Sequence, residues 1–383
     1  MLVSDLNASM DQIAPQALAE PWDRVGMLVG DASRALAGPV FLTIDLTERV
    51  LDEAIHERAS AIIAYHPPIW EPMARITASS MPERAILRAI ESHIAIYCPH
   101  TALDAASRGI SDWLCEGLSG GRDGKVSGDC RALTPYAAIE STQQVKLVTF
   151  VPPDAVDKVR SAMASAGAGL NENYSVCSFA ADGTGTFFGN ASSQPAVGVA
   201  GRLERVRECR LEMVCAKRAV ALVIETLKQF HPYETMPIDV YELAPQPTRN
   251  TGAGRRLVLD QPATLAQLAV RLREHLRTAR IEVASVGGPT DLSRAVSTIG
   301  VVPGAGGSLA GVARAEGCEV FVTGEMKHHD VLHALHSGMS VILAGHTNTE
   351  RGYLPRLAER LRGMLPGVRV VQARADHDPL VVV

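Results

Sequence analysis

Short apolar runs alternate with helix-like periodicity along the first third of the chain. Residues 40–44 (VFLTI) predict a strand, and residues 48–58 then place apolar side chains at positions 50, 51, 54 and 55, which is one face of a helix. The alternation continues to about residue 120, with predicted strands at 61–64 and 94–97 and predicted helices at 81–92 and 110–117. Strands and helices in alternation predict a sheet with helices packed on its faces.

The same alternation returns in the last third of the chain. Apolar runs predict strands near 281–286, 297–302, 320–322, 341–344 and 368–372, and helical periodicity predicts helices at 264–276, 308–316, 328–337 and 350–362. Before them, residues 119–145 are rich in Gly, Ser and Gln and predict a linker. Residues 244–256 hold two prolines and two glycines and predict a second, returning linker.

The middle of the chain has a pattern of its own. A predicted strand at 146–151 is followed by a predicted helix at 154–166. A second unit has a strand at 210–215, a helix at 216–230 and a strand at 237–243. Two such units of this size predict a small ferredoxin-like α+β domain. We therefore predict a split α/β core, residues 1–125 and 250–383, with a domain inserted at 146–243. Insertion is tolerated where the two chain ends lie close together at a surface.

Composition narrows the choice of partners and compartment. The chain has 383 residues, 37 basic against 42 acidic side chains and a net charge of −5, so it lacks the concentrated positive charge that nucleic acids and anionic membranes attract. The seven cysteines are scattered without a CxxC pair, which indicates reduced, buried thiols. Neither a signal-peptide pattern nor an apolar run of about 20 residues is visible. We expect a cytoplasmic protein that binds neither membrane nor nucleic acid.

Metal-competent side chains follow four of the predicted strands. The four segments are Tyr65–Pro68, Cys98–Asp104, Thr323–Asp330 and Gly345–Glu350. Open α/β sheets bind ligands at the carboxyl ends of their strands, so these segments are expected to converge. His346 and Glu350 lie four positions apart at the start of a predicted helix and would face the same way. Imidazole and carboxylate without thiolate suit Zn, Mn, Fe, Co or Ni better than Mg or Ca.

Plainer interpretations exist for each segment. A single loop histidine is more often a surface residue than a ligand, and Thr347 with Glu350 also fits a capping box in which Glu350 only caps its helix. The remaining histidines in helical patterns are expected to pack or to be solvated: His56, His93, His275, His333 and His336. Residues 304–308 (GAGGS), between a strand and a helix, could bind an anion through backbone N–H groups, but they lack the lysine of a P-loop.

Together the four segments resemble the Nif-three-like family, whose members are also named GTP cyclohydrolase 1 type 2 homologs. The matching stretches are PWDRVGMLVG at 21–30, TIDLT at 43–47, YHPPIW at 65–70, HTALD at 100–104, VTGEMKHHD at 322–330 and AGHTNTERG at 344–352. The inserted region resembles the PII- and CutA-like module of the longer bacterial members, through NYSVCSF at 173–179, GTGTF at 183–187 and HPYE at 231–234.

The resemblance implies a Nif-three-like split α/β core with a site for two divalent metal ions per subunit. By matching position, His66, Asp104, His346 and Glu350 would be the ligands. Many relatives have two adjacent histidines in the first motif, whereas here Tyr65 replaces the first of them. One of the two ions would then lack one protein ligand. Either Tyr65 or water completes the coordination shell of that ion, or its binding position is weak or empty.

The resemblance also places further residues near the metals. His100 and His329 would be catalytic, with His100 as a proton carrier, and Lys327 would line the same cavity and bind substrate. The backbone amides of Gly304, Gly306, Gly307 and Ser308 would hold anionic groups of the substrate. Relatives form toroidal homohexamers, so a homo-oligomer is expected.

Two hypotheses of function follow. The first is a metal-dependent hydrolase that acts on a nucleotide-like or phosphorylated small molecule, with water activated by metal and proton transfer by His100. The second is a metal carrier or regulator, in which the insert senses a ligand and the metals are cargo or structural. Tyr65 favours the second modestly, since an incomplete set of ligands suits metal exchange as well as catalysis.

Overall fold

The computed structural model describes residues 1–380, and the chain divides into two compact units. The core unit is formed by residues 1–136 together with the chain from residue 248 onward, and the insert unit is formed by residues 137–247. The chain thus leaves the core unit once and returns to it. No helix among the described residues is both long and apolar enough to cross a lipid bilayer.

The first sheet of the core unit has five strands and is mainly parallel. Its strands are β1 (Gly26–Val29), β2 (Val40–Thr43), β3 (Ala61–Ala64), β4 (Ala95–Cys98) and β15 (Val370–Gln372). Their order is β1-β4-β3-β2-β15, with β1 antiparallel to its neighbour and the others parallel. Every residue of β2, β3 and β4 is buried, as expected for strands that are covered on both faces.

The second sheet of the core unit has six strands. They are β5 (Asp129–Ala138), β10 (Gln246–Thr264), β11 (Glu282–Ala284), β12 (Ala295–Val301), β13 (Val320–Thr323) and β14 (Ser340–Leu343). Their order is β11-β14-β13-β12-β10-β5, in which β12, β13 and β14 are parallel. The outer strands β10 and β11 run antiparallel to their inner neighbours.

Ten helices of the core unit pack around these sheets, within the part of the chain that is described. They are α1 (Val3–Ile13), α2 (Glu48–His56), α3 (Met81–Glu91), α4 (His100–Ala105), α5 (Ile110–Ser119), α8 (Leu265–Leu276), α9 (Ala310–Ala315), α10 (His328–His336), α11 (Asn348–Arg351) and α12 (Leu354–Met364). One buried cluster contains Leu42 of the first sheet, Val322 of the second, and apolar faces of α1, α5, α8 and α12. The two halves of the split core therefore share one hydrophobic core.

The insert unit is a four-stranded antiparallel sheet with two helices. Its elements are β6 (Val145–Val151), α6 (Val156–Ser165), β7 (Phe179–Phe188), β8 (Leu203–Cys215), α7 (Val220–Phe230) and β9 (Ile238–Glu242). The strand order is β7-β8-β6-β9. Apolar residues of β6, β8, α6 and α7 form a separate buried cluster.

The predicted elements with strong apolar patterns agree with the structure to within a few residues, but the two predicted linkers do not. Residues 129–138 of the first are strand β5, and residues 246–256 of the second belong to the 19-residue strand β10. Both segments are partly exposed and rich in polar or glycine residues, so they carry little apolar alternation. They are strands because β10 pairs with β12, whose paired residues lie 31 to 46 positions later from Thr264↔Ala295 to Arg255↔Val301, and with β5, which the local sequence does not reveal.

The sequence prediction also lacked the first helix. Helix α1 buries Val3, Leu6, Met10 and Ile13, which are spaced as one face of a helix. The periodicity of this segment is sufficient by itself to predict α1.

Candidate metal centre

The carboxyl ends of the parallel strands of both sheets meet at one place in the core unit. His66 lies two residues after β3, and His346 lies three residues after β14. Their ring centroids are 5.4 Å apart, although the residues come from different sheets. The expected convergence of these strand ends is therefore present, because both sheets direct the same end of their strands towards the shared site.

Glu350 lies between the two histidines. Its Oε2 is 3.4 Å from Nε2 of His66, and its Oε1 is 3.4 Å from Nε2 of His346. One ligand atom from each of the three residues lies within 4.8 Å of the others. Glu350 is only 2% exposed, and its Oε2 accepts no hydrogen bond from residues 1–380. A buried carboxylate without a donor is costly unless a cation neutralises it, so this donor set fits a divalent metal ion.

Each histidine is held by a carboxylate on the ring nitrogen that faces away from Glu350. Nδ1 of His66 lies 2.9 Å from Asp45, and Nδ1 of His346 lies 3.0 Å from Glu325. Such partners fix the ring orientation and direct Nε2 towards a metal. Burial alone would lower the pKa of His66, but Asp45 and Glu350 raise it to about 10. A metal ion must therefore displace a proton from this ring.

Asp104 lies beside this cluster and is bonded to Tyr65. The Tyr65 hydroxyl donates to Asp104 Oδ1 at 2.7 Å. Burial raises the pKa of Asp104 to about 7, and the negative charge of Glu350 acts in the same direction. Burial and the neighbouring Asp104 carboxylate raise the pKa of Tyr65 well above its usual value. In the metal-free protein the phenol therefore stays protonated at neutral pH and donates its hydrogen to Asp104.

His100 is positioned by Asp23. Nδ1 of His100 lies 2.8 Å from Asp23 Oδ1, and the backbone N–H of Thr101 donates to Asp23 Oδ2 at 3.1 Å. Burial by itself would raise the pKa of Asp23, but the hydrogen bonds from His100 and Thr101 lower it. The His100 ring lies 5.5 Å from the rings of both Tyr65 and His66. An anionic Asp23 therefore holds an imidazole at the edge of the cluster.

A cavity of about 320 Å³ adjoins the cluster. Its wall includes Trp22, Tyr65, Trp70, His100, Asp104, Gly304, Gly306, Ser308, His346 and Glu350. Gly304 has a φ of +60°, and a Cβ at this position would lie 2.7 Å from Glu350 Oε1 and 3.1 Å from His346 Nε2. Only glycine combines this conformation with so close an approach to the two side chains.

Two backbone N–H groups of the glycine-rich loop, residues 304–308, donate hydrogen bonds to side chains of the protein. The N–H of Gly304 donates to the hydroxyl of Thr349, and the N–H of Gly306 donates to the hydroxyl of Thr323, both at 2.9 Å. These two amides are therefore not directed at a ligand. Gly307 does not line the cavity, whereas Ser308 does.

Two of the residues expected at the site are elsewhere. Lys327 and His329 are exposed at the start of α10, and neither lines the 320 Å³ cavity or a second cavity of about 520 Å³ that also borders His66 and His346. The capping-box interpretation of Thr347 is wrong, because its side chain caps no helical N–H and donates instead to Asp378 at 2.9 Å. Glu350 is therefore free of that structural role.

Three carboxylates at the site had no role in the sequence analysis. Asp23, Asp45 and Glu325 lie inside the motif stretches, but they were not assigned a function. Asp45 and Glu325 each follow the end of a parallel strand by two residues, which is the same signal that identified His66. Asp23 follows no strand and lies 77 positions from His100, so no local pattern identifies its role.

Comparison with known proteins identifies the family of this chain and agrees with its fold. The family model Duf34/NIF3 (NGG1p interacting factor 3) matches residues 1–379. NIF3-like protein 1 of Rattus norvegicus is 34% identical over 99% of this chain and 92% of its own length. The GTP cyclohydrolase 1 type 2 homolog of Bacillus subtilis is 30% identical over 96% of this chain and 95% of its own length. The crystal structure of a Bacillus cereus protein related to NIF3 superposes with a TM-score of 0.64 at 29% identity, covering 100% of this chain and 99% of that one. This chain therefore belongs to the Duf34/NIF3 family.

Proposed function

We propose that this protein is a metal-dependent hydrolase that acts on a nucleotide-like or phosphorylated small molecule. The observation that supports it best is the pair of histidine Nε2 atoms that converge on the buried Glu350, whose Oε2 has no hydrogen-bond donor among the described residues. The relative from Bacillus subtilis carries the name GTP cyclohydrolase 1 type 2 homolog, which points to nucleotide chemistry.

The metal would be held by His66, His346 and Glu350, with Asp104 as a fourth ligand. Nitrogen and oxygen donors without thiolate favour Zn, Fe, Mn, Co or Ni. We propose that these residues would hold two ions per chain. The second position would be the weaker one, since the protonated Tyr65 offers no lone pair comparable to an imidazole nitrogen.

The residues of the cavity suggest how hydrolysis would proceed. A bound divalent ion would supply Lewis-acid activation of water and of the substrate. His100 would accept a proton on Nε2 and pass it to the leaving group, and Asp23 would stabilise the protonated ring through Nδ1. Ser308, on the cavity wall, would contact an anionic group of the substrate. Lys327 and His329 have no part in this scheme, since they line neither cavity.

The alternative function is a metal carrier or regulator. It is favoured by the Tyr65–Asp104 bond, because this hydrogen bond occupies one of the two oxygens that Asp104 could offer to a second ion. A position with few fixed ligands exchanges its ion readily, which suits delivery of a metal to another protein.

Two further parts of the proposal come from the family resemblance. We propose a homo-oligomer, of hexameric size, which light scattering on the purified chain would test. We also propose that the insert is a ferredoxin-like module of the PII and CutA type. Its element order, strand–helix–strand–strand–helix–strand, with the first and third strands central in the sheet, supports this assignment.

The test combines metal analysis with a hydrolysis screen. The purified protein, loaded with each of the five metals, is assayed against nucleotides and phosphoesters over a range of pH. H346A and E350Q should lose both metal and turnover, whereas H333A, which changes an exposed histidine of α10, should retain both. A fully loaded protein that turns over no substrate would contradict the hydrolase. Rapid transfer of its metal to a chelator would then support the carrier.

A further inference from the structure

The insert unit encloses a cavity that the proposed metal chemistry does not use. Its volume is about 410 Å³, within the size range of small-molecule sites. The wall includes Phe150, Phe188, Val197, Glu208, Tyr233 and Glu234, all of which belong to the insert unit. The motif stretches 183–187 and 231–234 meet here, and neither has a role in the metal centre.

The loop that follows α7 is held rigidly against β6. His231 is 7% exposed, and its Nδ1 accepts a hydrogen bond from the backbone N–H of Tyr233 at 3.1 Å. The ring is neutral, because burial lowers the pKa of His231. Nε2 therefore carries the proton and donates to the carbonyl oxygen of Phe150 at 3.1 Å. These bonds fix the position of the Tyr233 ring in the cavity wall.

Two carboxylates in the wall each have one oxygen in use. The Tyr233 hydroxyl donates to Glu208 Oε1 at 2.7 Å, and the backbone N–H of Gln194 donates to Glu234 Oε1 at 3.1 Å. A Cβ on Gly185, in the neighbouring strand, would overlap Glu208 Oε2, so glycine leaves room for this carboxylate. Within residues 1–380, neither carboxylate forms an ion pair with lysine or arginine. The second oxygen of each remains available for a donor.

Aromatic rings form much of the remaining wall. Phe150, Phe187, Phe188 and Tyr233 line the cavity in a chain whose aromatic content is only 4%. The guanidinium of Arg210 lies 5.9 Å from the centroid of the Phe150 ring, so this ring already takes part in one cation–π contact. Aromatic faces and carboxylates both attract positive charge.

The geometry points to a binding site for a small organic cation, an ammonium group attached to an apolar or aromatic body. An anionic ligand would be repelled by the two carboxylates, since no lysine or arginine is paired with either of them among the described residues. A bare metal ion fits less well, because the described residues of this cavity contain no group of three metal-ligating side chains with ligand atoms within 4.8 Å. The ammonium group would lie between Glu208 and Glu234 and donate to the free oxygen of each, and its body would lie against the phenylalanine rings.

The test compares ligands of the same shape but different charge. The full-length, metal-loaded protein is titrated with 4-fluorobenzylammonium, 4-fluorobenzyl alcohol and 4-fluorobenzoate, and binding is followed by fluorine NMR line width. The ammonium should bind about tenfold more tightly than the alcohol, and the benzoate should bind least. Equal binding of ammonium and alcohol, or preference for the benzoate, would overturn the assignment.

Variants locate the binding to this cavity. E208Q and E234Q each remove one charge while keeping an oxygen that can accept the existing hydrogen bond, and each should weaken ammonium binding about tenfold without changing alcohol binding. The matched control is E225Q, which removes an exposed charge from α7 in the same unit and should bind like the wild type. An equal loss in E225Q, or no loss in E234Q with an unchanged melting temperature, would refute the site. Metal content should not change in any of the three.

Discussion

The approach of Gly304 to the proposed metal ligands gives the sharpest test of the site. In G304A the new Cβ would lie 2.7 Å from Glu350 Oε1, whereas ordinary contact begins at 3.4 Å. The carboxylate or the loop must therefore move by about 0.7 Å, the difference between those two distances. Metal–ligand distances tolerate changes of only about 0.2 Å. We expect metal affinity to fall about 10- to 100-fold, which is the range found when the geometry of ligating residues is disturbed.

The substitution also strains the backbone, and a matched control separates this effect. Alanine in the left-handed region costs about 1–2 kcal/mol, whatever its surroundings. Gly317 has a φ of +77°, and a Cβ there would have no heavy atom within 4 Å. G317A should thus lose similar stability without any change in metal affinity. The free energy of unfolding is measured with urea, and metal affinity by competition with a chromophoric chelator.

If G304A is folded and binds metal within about threefold of the wild type, less than the tenfold effect expected at minimum, then Glu350 and His346 are not the ligands that this loop constrains. Equal losses of affinity in both variants would indicate that stability, and not the contact with Glu350, controls metal binding.

Three further predictions follow from the same geometry. In the metal-free protein the pKa of His66 is about 10 and that of Asp104 about 7, so a metal ion that binds these residues must displace their protons. Metal affinity should therefore rise with pH, with a slope of about two protons below pH 7 and about one between pH 7 and 10. An affinity that does not depend on pH in chelator competition would contradict this. Y65H should restore the paired histidines of many relatives and raise the metal content per chain in elemental analysis, and an unchanged content would argue against a second position beside Asp104. The buried Arg255 donates hydrogen bonds to Asp112 and to five backbone carbonyls. R255M should therefore lower the free energy of unfolding, measured by urea denaturation, by about 3–5 kcal/mol. A loss below about 1 kcal/mol would contradict a structural role for Arg255.

The strands that supply the site could be predicted because they are buried on both faces. The runs of β2, β3, β13 and β14 are continuously apolar or nearly so, and each ends at a polar motif. His66 and His346 could each be predicted at the carboxyl end of a parallel strand, where open α/β sheets bind ligands, but the two strands belong to different sheets, so their closeness depends on how the sheets pack. The four-residue spacing of His346 and Glu350 likewise follows from helical geometry, and their side chains do meet.

Local periodicity and short, continuous motifs were enough to predict the α/β character of the core, the position of the metal-competent motifs at strand ends and the family, whereas the meeting of these motifs from two sheets depended on tertiary packing. Tertiary structure alone decided that residues 129–138 and 246–264 are strands, since their hydrogen-bond partners are distant in the chain. It also decided which carboxylate serves which histidine. Asp23 reaches His100 across 77 positions, and the Tyr65 phenol is held protonated by burial beside Asp104. Hydrogen bonding and desolvation depend on distances between atoms, and only the folded chain brings those atoms together.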